Sequence, residues 1–251
     1  MNRQTDQIEF IKSCSNRFLD MLDEYNVHIT FFITGEYYSH FPEIVARIGD
    51  SGHEIAYHGH THNKIINADI LRQELAMSTD FLNTFSPKGF RAPWIYFPEF
   101  MLPILADAGF EYDSSTLASA GTYGNINGMH ILPVTSIPFF SHKIRYGKVV
   151  SAKMLWEEIP IGTGIMVSYL RKWYNDILNR YCHKNLSCIF YLHLWQIYPP
   201  AVQYHGLRRI HSYPLEEPLR RWLQHHSFGK MLELTEGYQA KKHFLTIDLE
   251  I

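Results

Sequence analysis

The chain has 251 residues, 46% of them hydrophobic, 15% aromatic and 19% charged, with 23 Lys and Arg against 25 Asp and Glu. So even a charge balance excludes a protein whose main work is binding nucleic acid phosphates, and so aromatic a composition excludes a disordered chain. Three cysteines, Cys14, Cys182 and Cys188, cannot all pair, the first ten residues have no apolar core of signal-peptide length, and no uncharged apolar run reaches the ~18 residues of a membrane span; a reduced, cytoplasmic setting is the expectation.

Ile11, Cys14, Phe18, Met21 and Tyr25 recur at helical spacing and predict an amphipathic helix over residues 9–25. Residues 27–33, VHITFFI, are β-branched and aromatic and predict a buried strand. Pro42 in a first turn and Gly52 beyond the end predict a helix over 41–50. HEIAY, 53–57, is the next strand. Asn67 is a fitting N-cap for a long helix that turns Leu71, Leu75, Phe81, Leu82 and Phe85 inward. GFRAP, 89–93, is a short strand ended by its proline, residues 98–108 a helix up to Gly109, and FEYDSS, 110–115, another short strand. Residues 116–162 predict loops and short strands, among them ILPV at 131–134. A helix carrying Met166, Leu170, Trp173, Ile177 and Tyr181 leads into the apolar strand CIFYLHLW, 188–195, and residues 215–226 form the last predicted helix.

Alternating strands and helices mean βα units and a mostly parallel sheet, either a (β/α) barrel or a doubly wound sheet, over one domain spanning 1–251. A barrel gathers function at the C-terminal ends of its strands. His58 and His62 are the only histidines spaced i, i+4, a spacing that chance alone supplies among 15 histidines. Their position gives them weight, because they follow a predicted strand, as Arg91 ends GFRAP, Asp113 ends FEYD and His193 lies near the end of CIFYLHLW.

In this order and spacing the chain resembles the polysaccharide deacetylases, the family that shares its domain with chitooligosaccharide deacetylase, over residues 16–235. HGHTH at 58–62 resembles the family's histidine motif, H-[ST]-x-x-H; RAPW at 91–94, YDSS at 112–115 and YLHLWQ at 191–196 resemble the three that follow. SFGKM near residue 230 is most similar to the subgroup linked to exopolysaccharide synthesis. The resemblance implies an irregular, incomplete (β/α) barrel. It implies that His58 and His62 bind a divalent metal, usually zinc, and that His193 is the general acid that protonates a leaving amine. It further implies that Arg91 orients a catalytic carboxylate, that Asp113 supports the acid histidine, and that Leu192 lines a pocket for the acetyl methyl. Trp94 is a candidate for stacking on a sugar, and His60 is expected outside the ligand set.

The family's first motif, an acidic pair near T-F-D-D-G that supplies the general base and the third ligand, is expected before the first helix. Asp6 is the candidate there. The alternatives are a strand preceding residue 1 and a relative that has lost the base. The function implied is de-N-acetylation of an N-acetylated glycan, an O-antigen or exopolysaccharide. The competing expectations are a catalytically impaired sugar-binding protein and a small-molecule amidohydrolase of the allantoinase or imidase kind.

Overall fold

The computed structural model describes residues 3–139, 144, 146–147, 156–199, 214–236 and 242–250, with side chains from residue 8 onward. Helices α1 (Arg3–Glu24), α2 (Gly35–His40), α3 (Pro42–Asp50), α4 (Ala68–Met77), α5 (Thr79–Phe85) and α6 (Leu102–Asp107) alternate with strands β1 (Thr30–Ile33), β2 (Glu54–Tyr57), β3 (Gly89–Phe90) and β4 (Tyr112–Asp113). Strands β5 (Leu117–Ser119), β6 (Gly124–Ile126), β7 (Met129–Ile131), β8 (Val134–Pro138) and β9 (Glu158–Ile159) fill the middle of the chain. Helices α7 (Gly164–Leu170) and α8 (Tyr174–His183), strand β10 (Ile189–His193), helices α9 (Leu194–Ile197) and α10 (Glu216–His225), and strand β11 (Phe244–Leu249) complete it. None of the described helices is long and apolar enough to cross a membrane.

Local chemistry accounts for most boundaries. The Thr34 hydroxyl caps α2 by accepting from the Tyr37 amide at 3.2 Å, and Asn67 caps α4 by accepting from the Ile70 amide at 2.9 Å. The long helix expected after Asn67 is broken at Ser78. There the hydroxyl lies 2.9 Å from the Tyr57 hydroxyl and 3.0 Å from the His60 ring, bonds that bind the break to the end of β2. The helix expected before β10 is likewise two, α7 and α8.

The main sheet runs β10-β11-β1-β2-β3-β4-β7-β6, parallel from β10 through β7, with β6 antiparallel at its edge. A smaller sheet, β5-β8-β9, leans on β10: Tyr191 N–H donates to the Gly162 carbonyl at 2.9 Å and Ile189 N–H to the Thr135 hydroxyl at 2.8 Å. A Cβ on Gly162 would collide with the Ile189 carbonyl, so only glycine permits this approach. The result is the expected irregular, incomplete (β/α) barrel.

Strand periodicity sorts the side chains. Phe31, Ile33, Tyr57, Phe190, Leu192, Leu245, Ile247 and Leu249 join Phe18, Leu22 and Trp222 in the layer under the helices. Phe32, Ala56, Ile189 and Phe244 face inward with Tyr112, Val134 and Met231. Leu245, Ile247 and Leu249 are at most 2% exposed, and each contributes roughly 1.5–3 kcal/mol of apolar burial.

β11 is the principal departure from expectation. The described residues begin with α1; Asp6 belongs to that helix, and its side chain lies outside the described residues. The strand flanking β1 is formed by residues 244–249, inserted between β10 and β1 in register Phe32↔Asp248 and His193↔Asp248.

Candidate metal and catalytic centre

The C-terminal ends of β1, β2, β3, β10 and β11 meet at one point. His58 follows β2, Arg91 follows β3, His193 ends β10, and Asp248 and Glu250 stand two apart at the end of β11, a spacing that puts both carboxylates on the inward face. Arg91 is fully buried and donates through Nη1 to Asp248 Oδ1 at 2.9 Å and to the Thr246 hydroxyl at 2.7 Å. Its Nη2 donates to the Ser114 hydroxyl at 2.9 Å, and its guanidinium lies 4.1 Å from the centre of the Phe32 ring. Asp248 Oδ2 lies 3.9 Å from His58 Nε2, Glu250 Oε2 lies 2.5 Å from His62 Nε2, and Glu250 Oε1 lies 3.5 Å from His193 Nδ1.

The donor set suits a divalent ion. His58 Nδ1 sits 2.8 Å from the Arg91 carbonyl. A carbonyl only accepts, so Nδ1 carries the ring proton and Nε2 keeps its lone pair. Among the described residues that Nε2 is buried with no hydrogen-bond partner; a buried polar atom left in this state signals a missing partner. Ligand atoms of His58, His62 and Glu250 all lie within 4.8 Å of one another. Two imidazoles and one carboxylate are a donor set that leaves coordination positions open for substrate and water. Burial holds the His58 ring down at about 4, against the pull of Asp248, and so favours the neutral form a metal ligand needs. Burial pushes Glu250 up, but its closeness to His193 and its hydrogen bond with His62 outweigh that and hold the carboxyl down at about 2.

The remaining expected residues divide. Trp94 is 53% exposed at the mouth, with its indole N–H donating to the His62 carbonyl at 3.2 Å and its ring 6.0 Å from that of His62. It has φ 63, in a left-handed region that a bulky residue rarely adopts. The His60 Nδ1 lies 3.0 Å from the Ser78 hydroxyl. Asp113 does not meet His193. Its carboxylate accepts from the Ser115 amide and hydroxyl and from the Tyr146 hydroxyl, and burial raises it to about 6 against those bonds. His193 is held from elsewhere: Gln196 Oε1 accepts from its backbone amide at 2.9 Å and the Trp195 ring stacks on the imidazole at 5.3 Å. Leu192 is also displaced from its expected role, because alternation along β10 puts it in the layer under the helices, fully buried.

Asp248 and Glu250 are the residues that sequence reasoning missed. Their signal was present: in FLTIDLE, the apolar Leu245, Ile247 and Leu249 alternate with Phe244, Thr246, Asp248 and Glu250.

A second group, Cys182, His226 and His243, also has ligand atoms within 4.8 Å of one another. It lies where β10 and β11 begin, at the other end of the barrel. Its chemistry differs. His243 Nδ1 accepts from the Cys188 amide at 3.1 Å, so the proton of the neutral ring is on Nε2, which faces Cys182 Sγ at 3.0 Å. Ligation through Nε2 would cost that arrangement.

Fold and site define a (β/α) barrel with a His-His-carboxylate centre at the C-terminal face of its sheet. The sequence profile of the polysaccharide deacetylase family matches residues 6–112 of the chain. Over 83 residues it is 36% identical to a peptidoglycan-N-acetylglucosamine deacetylase of Bacillus cereus, an alignment covering 31% of this chain and 30% of that protein. The chain thus spans about a third of that relative's length. Among solved structures it is similar in fold to the Puue allantoinase (14% identity, 94% of this chain and 76% of the other, TM-score 0.66). A probable polysaccharide deacetylase from Pseudomonas aeruginosa PAO1 is similar in fold too (16% identity, 94% and 76%, TM-score 0.63).

Proposed function

We propose that this protein is a metal-dependent de-N-acetylase acting on an N-acetylated sugar of a bacterial surface polysaccharide, an O-antigen or an exopolysaccharide. The observation that carries this reading is the meeting of Asp248 and Glu250 with His58, His62, Arg91 and His193. His58, His62 and Glu250 would hold a divalent ion, zinc being suited to this donor set. When bound, such an ion polarises the amide carbonyl and makes water more acidic.

The chain's own residues divide the remaining work. Asp248, held by Arg91, accepts a proton from the water whose oxygen attacks the acetamide carbon. His193 gives a proton to the sugar nitrogen as the C–N bond breaks, releasing acetate and a free amine. Trp94, exposed at the mouth, offers a face to a sugar ring. With a carboxylate in place for the base, the reading as an impaired relative loses its motive. No disulfide joins Cys14, Cys182 and Cys188, which suits a cytoplasmic setting.

The test is acetate release from N-acetylated oligosaccharides with Zn²⁺ or Co²⁺ added, comparing the parent with Asp248→Asn and His193→Asn. Release that both variants abolish while metal stays bound supports the assignment. A metal-loaded parent that hydrolyses cyclic ureides or imides and no N-acetylated sugar would move the reading to a small-molecule amidohydrolase.

A further inference from the structure

Two of the three metal-site residues sit on one irregular loop, residues 58–62, which must present both rings to one point without helix or strand to hold them. From one side the Gly35 and Glu36 amides donate to the Gly59 and His60 carbonyls at 2.9 and 3.0 Å. From the other, a single carboxylate gathers the loop. Glu74 of α4, 4% exposed, accepts from the His60 and Thr61 amides at Oε2 (2.5 and 2.8 Å) and from the Thr61 hydroxyl at Oε1 (2.7 Å). Among the described residues no cation pairs with Glu74. A buried carboxylate is costly unless donors compensate it, and here the donors belong to the loop. Carboxylate and loop conformation therefore depend on each other. The loop is shaped for the contact: Gly59 has φ +81, and a Cβ there would lie 3.1 Å from Glu74 Oε2. The reference frame is firm, because the Glu74 carbonyl also accepts from the Tyr57 hydroxyl at 2.8 Å, joining α4 to the strand from which the loop departs.

We propose that Glu74 is a positioning residue of the metal centre, setting the separation of His58 and His62 through the backbone between them and thereby the affinity for the ion. This rests on the reading that His58, His62 and Glu250 hold a divalent metal. Glu74→Gln is isosteric, but a neutral amide has one accepting oxygen and no charge, so it holds the two amides more weakly than the carboxylate and cannot accept from the Thr61 hydroxyl as well. The affinity for Zn²⁺, measured by competition with a chromophoric chelator, is expected to fall about 10–100-fold, the range seen when groups that orient metal ligands are lost. The visible spectrum of the Co²⁺-loaded protein is expected to change with it. Thr61→Val, which removes one of the three bonds, should give a smaller loss. Asn67→Ala removes the cap of the same helix without touching the loop; it should lower the melting temperature and leave Zn²⁺ affinity within twofold of the parent.

A second measurement needs no metal. In the apo protein Glu74→Gln should speed hydrogen exchange of the His60 and Thr61 amides at least tenfold. Parent-like Zn²⁺ affinity in Glu74→Gln overturns the proposal, as does unchanged exchange of those amides, and so does an equal loss of affinity in Asn67→Ala. A parent that binds no metal overturns the proposed function instead, and the exchange measurement then judges the clamp alone.

Discussion

Two clusters of histidines occupy opposite ends of the same parallel strands, and they differ in one bond. At the C-terminal end, His58 directs Nδ1 at a carbonyl, which fixes the proton there and leaves Nε2 as a lone pair in a buried space shared with a carboxylate. At the N-terminal end, His243 directs Nδ1 at an amide N–H, which fixes the proton on Nε2 and turns that atom into a donor toward Cys182. Both groups are equally close-set by the distances among their ligand atoms. Proximity therefore does not rank the two as metal sites; the partner of the far ring nitrogen favours the first. The contrast also follows the barrel's division of labour, with chemistry where strands end and stability where they begin.

The largest expected effect is loss of a ligand from the first cluster. His58→Ala and Glu250→Ala should each remove most of the bound metal by elemental analysis and lower turnover by about 10³-fold or more, the several kcal/mol that an ion supplies to such a reaction. His226→Ala and Cys182→Ala should keep the parent's metal content. Loss of metal in the second pair of variants with retention in the first would reverse the comparison.

Next come the proton-transfer groups. Asp248→Asn and His193→Asn should each cost roughly 10²–10⁴-fold in turnover, the usual size of a general acid–base contribution, and His193→Asn should leave metal content unchanged. Full activity in either would remove that residue from the mechanism.

The pH dependence of stability sharpens the contrast further. Burial depresses both His58 and His243 from 6.5 to about 4. For a depressed pKa the unfolded chain takes up the proton first, so the stability from each ring is present above about pH 6.5 and is lost as the pH falls toward 4. At about 1.4 kcal/mol per pKa unit, each ring contributes on the order of 3 kcal/mol at most. Denaturant melts of the apo protein between pH 7 and pH 4 should show a shallower slope in His58→Phe and in His243→Phe. Zn²⁺ should stabilise His243→Phe as it does the parent and leave His58→Phe unaffected. A zinc response lost in His243→Phe would count against the division between the clusters.

The smallest effect concerns Cys182. Cys182→Ala removes one partner of the His243 Nε2 proton and should cost about 1 kcal/mol, the net worth of a typical hydrogen bond. That corresponds to a few degrees in melting temperature for a chain of this size. A shift of this size with Zn²⁺ affinity unchanged is expected; a drop in affinity would make the second cluster a metal site.

The strands flanking the site were legible because their residues are β-branched and aromatic runs bounded by turn formers, as in residues 27–33 and 188–195. The helix breaks at Ser78 and between α7 and α8 were not, since apolar spacing continues through both. At Ser78 the chain turns because Tyr57 and His60, distant in sequence, bond its hydroxyl. Asp113 was placed correctly at a strand end and wrongly by role, because the end of a strand does not say which neighbour its side chain will meet. Leu192 shows the converse, a residue adjacent to His193 in sequence and on the opposite face of the sheet.

By itself the sequence determined the parallel α/β architecture, the His58–His62 loop, Arg91 and His193, because each depends on local periodicity or on a short motif after a strand. Only the tertiary structure decided where the acidic pair comes from. β11 pairs with β1 across more than half of the chain length, Thr30 lying opposite Thr246, and with β10 on its other side. No local pattern states which strands a buried parallel strand will lie between; that choice belongs to the sheet, where Leu245, Ile247 and Leu249 find the layer under the helices and Asp248 finds Arg91.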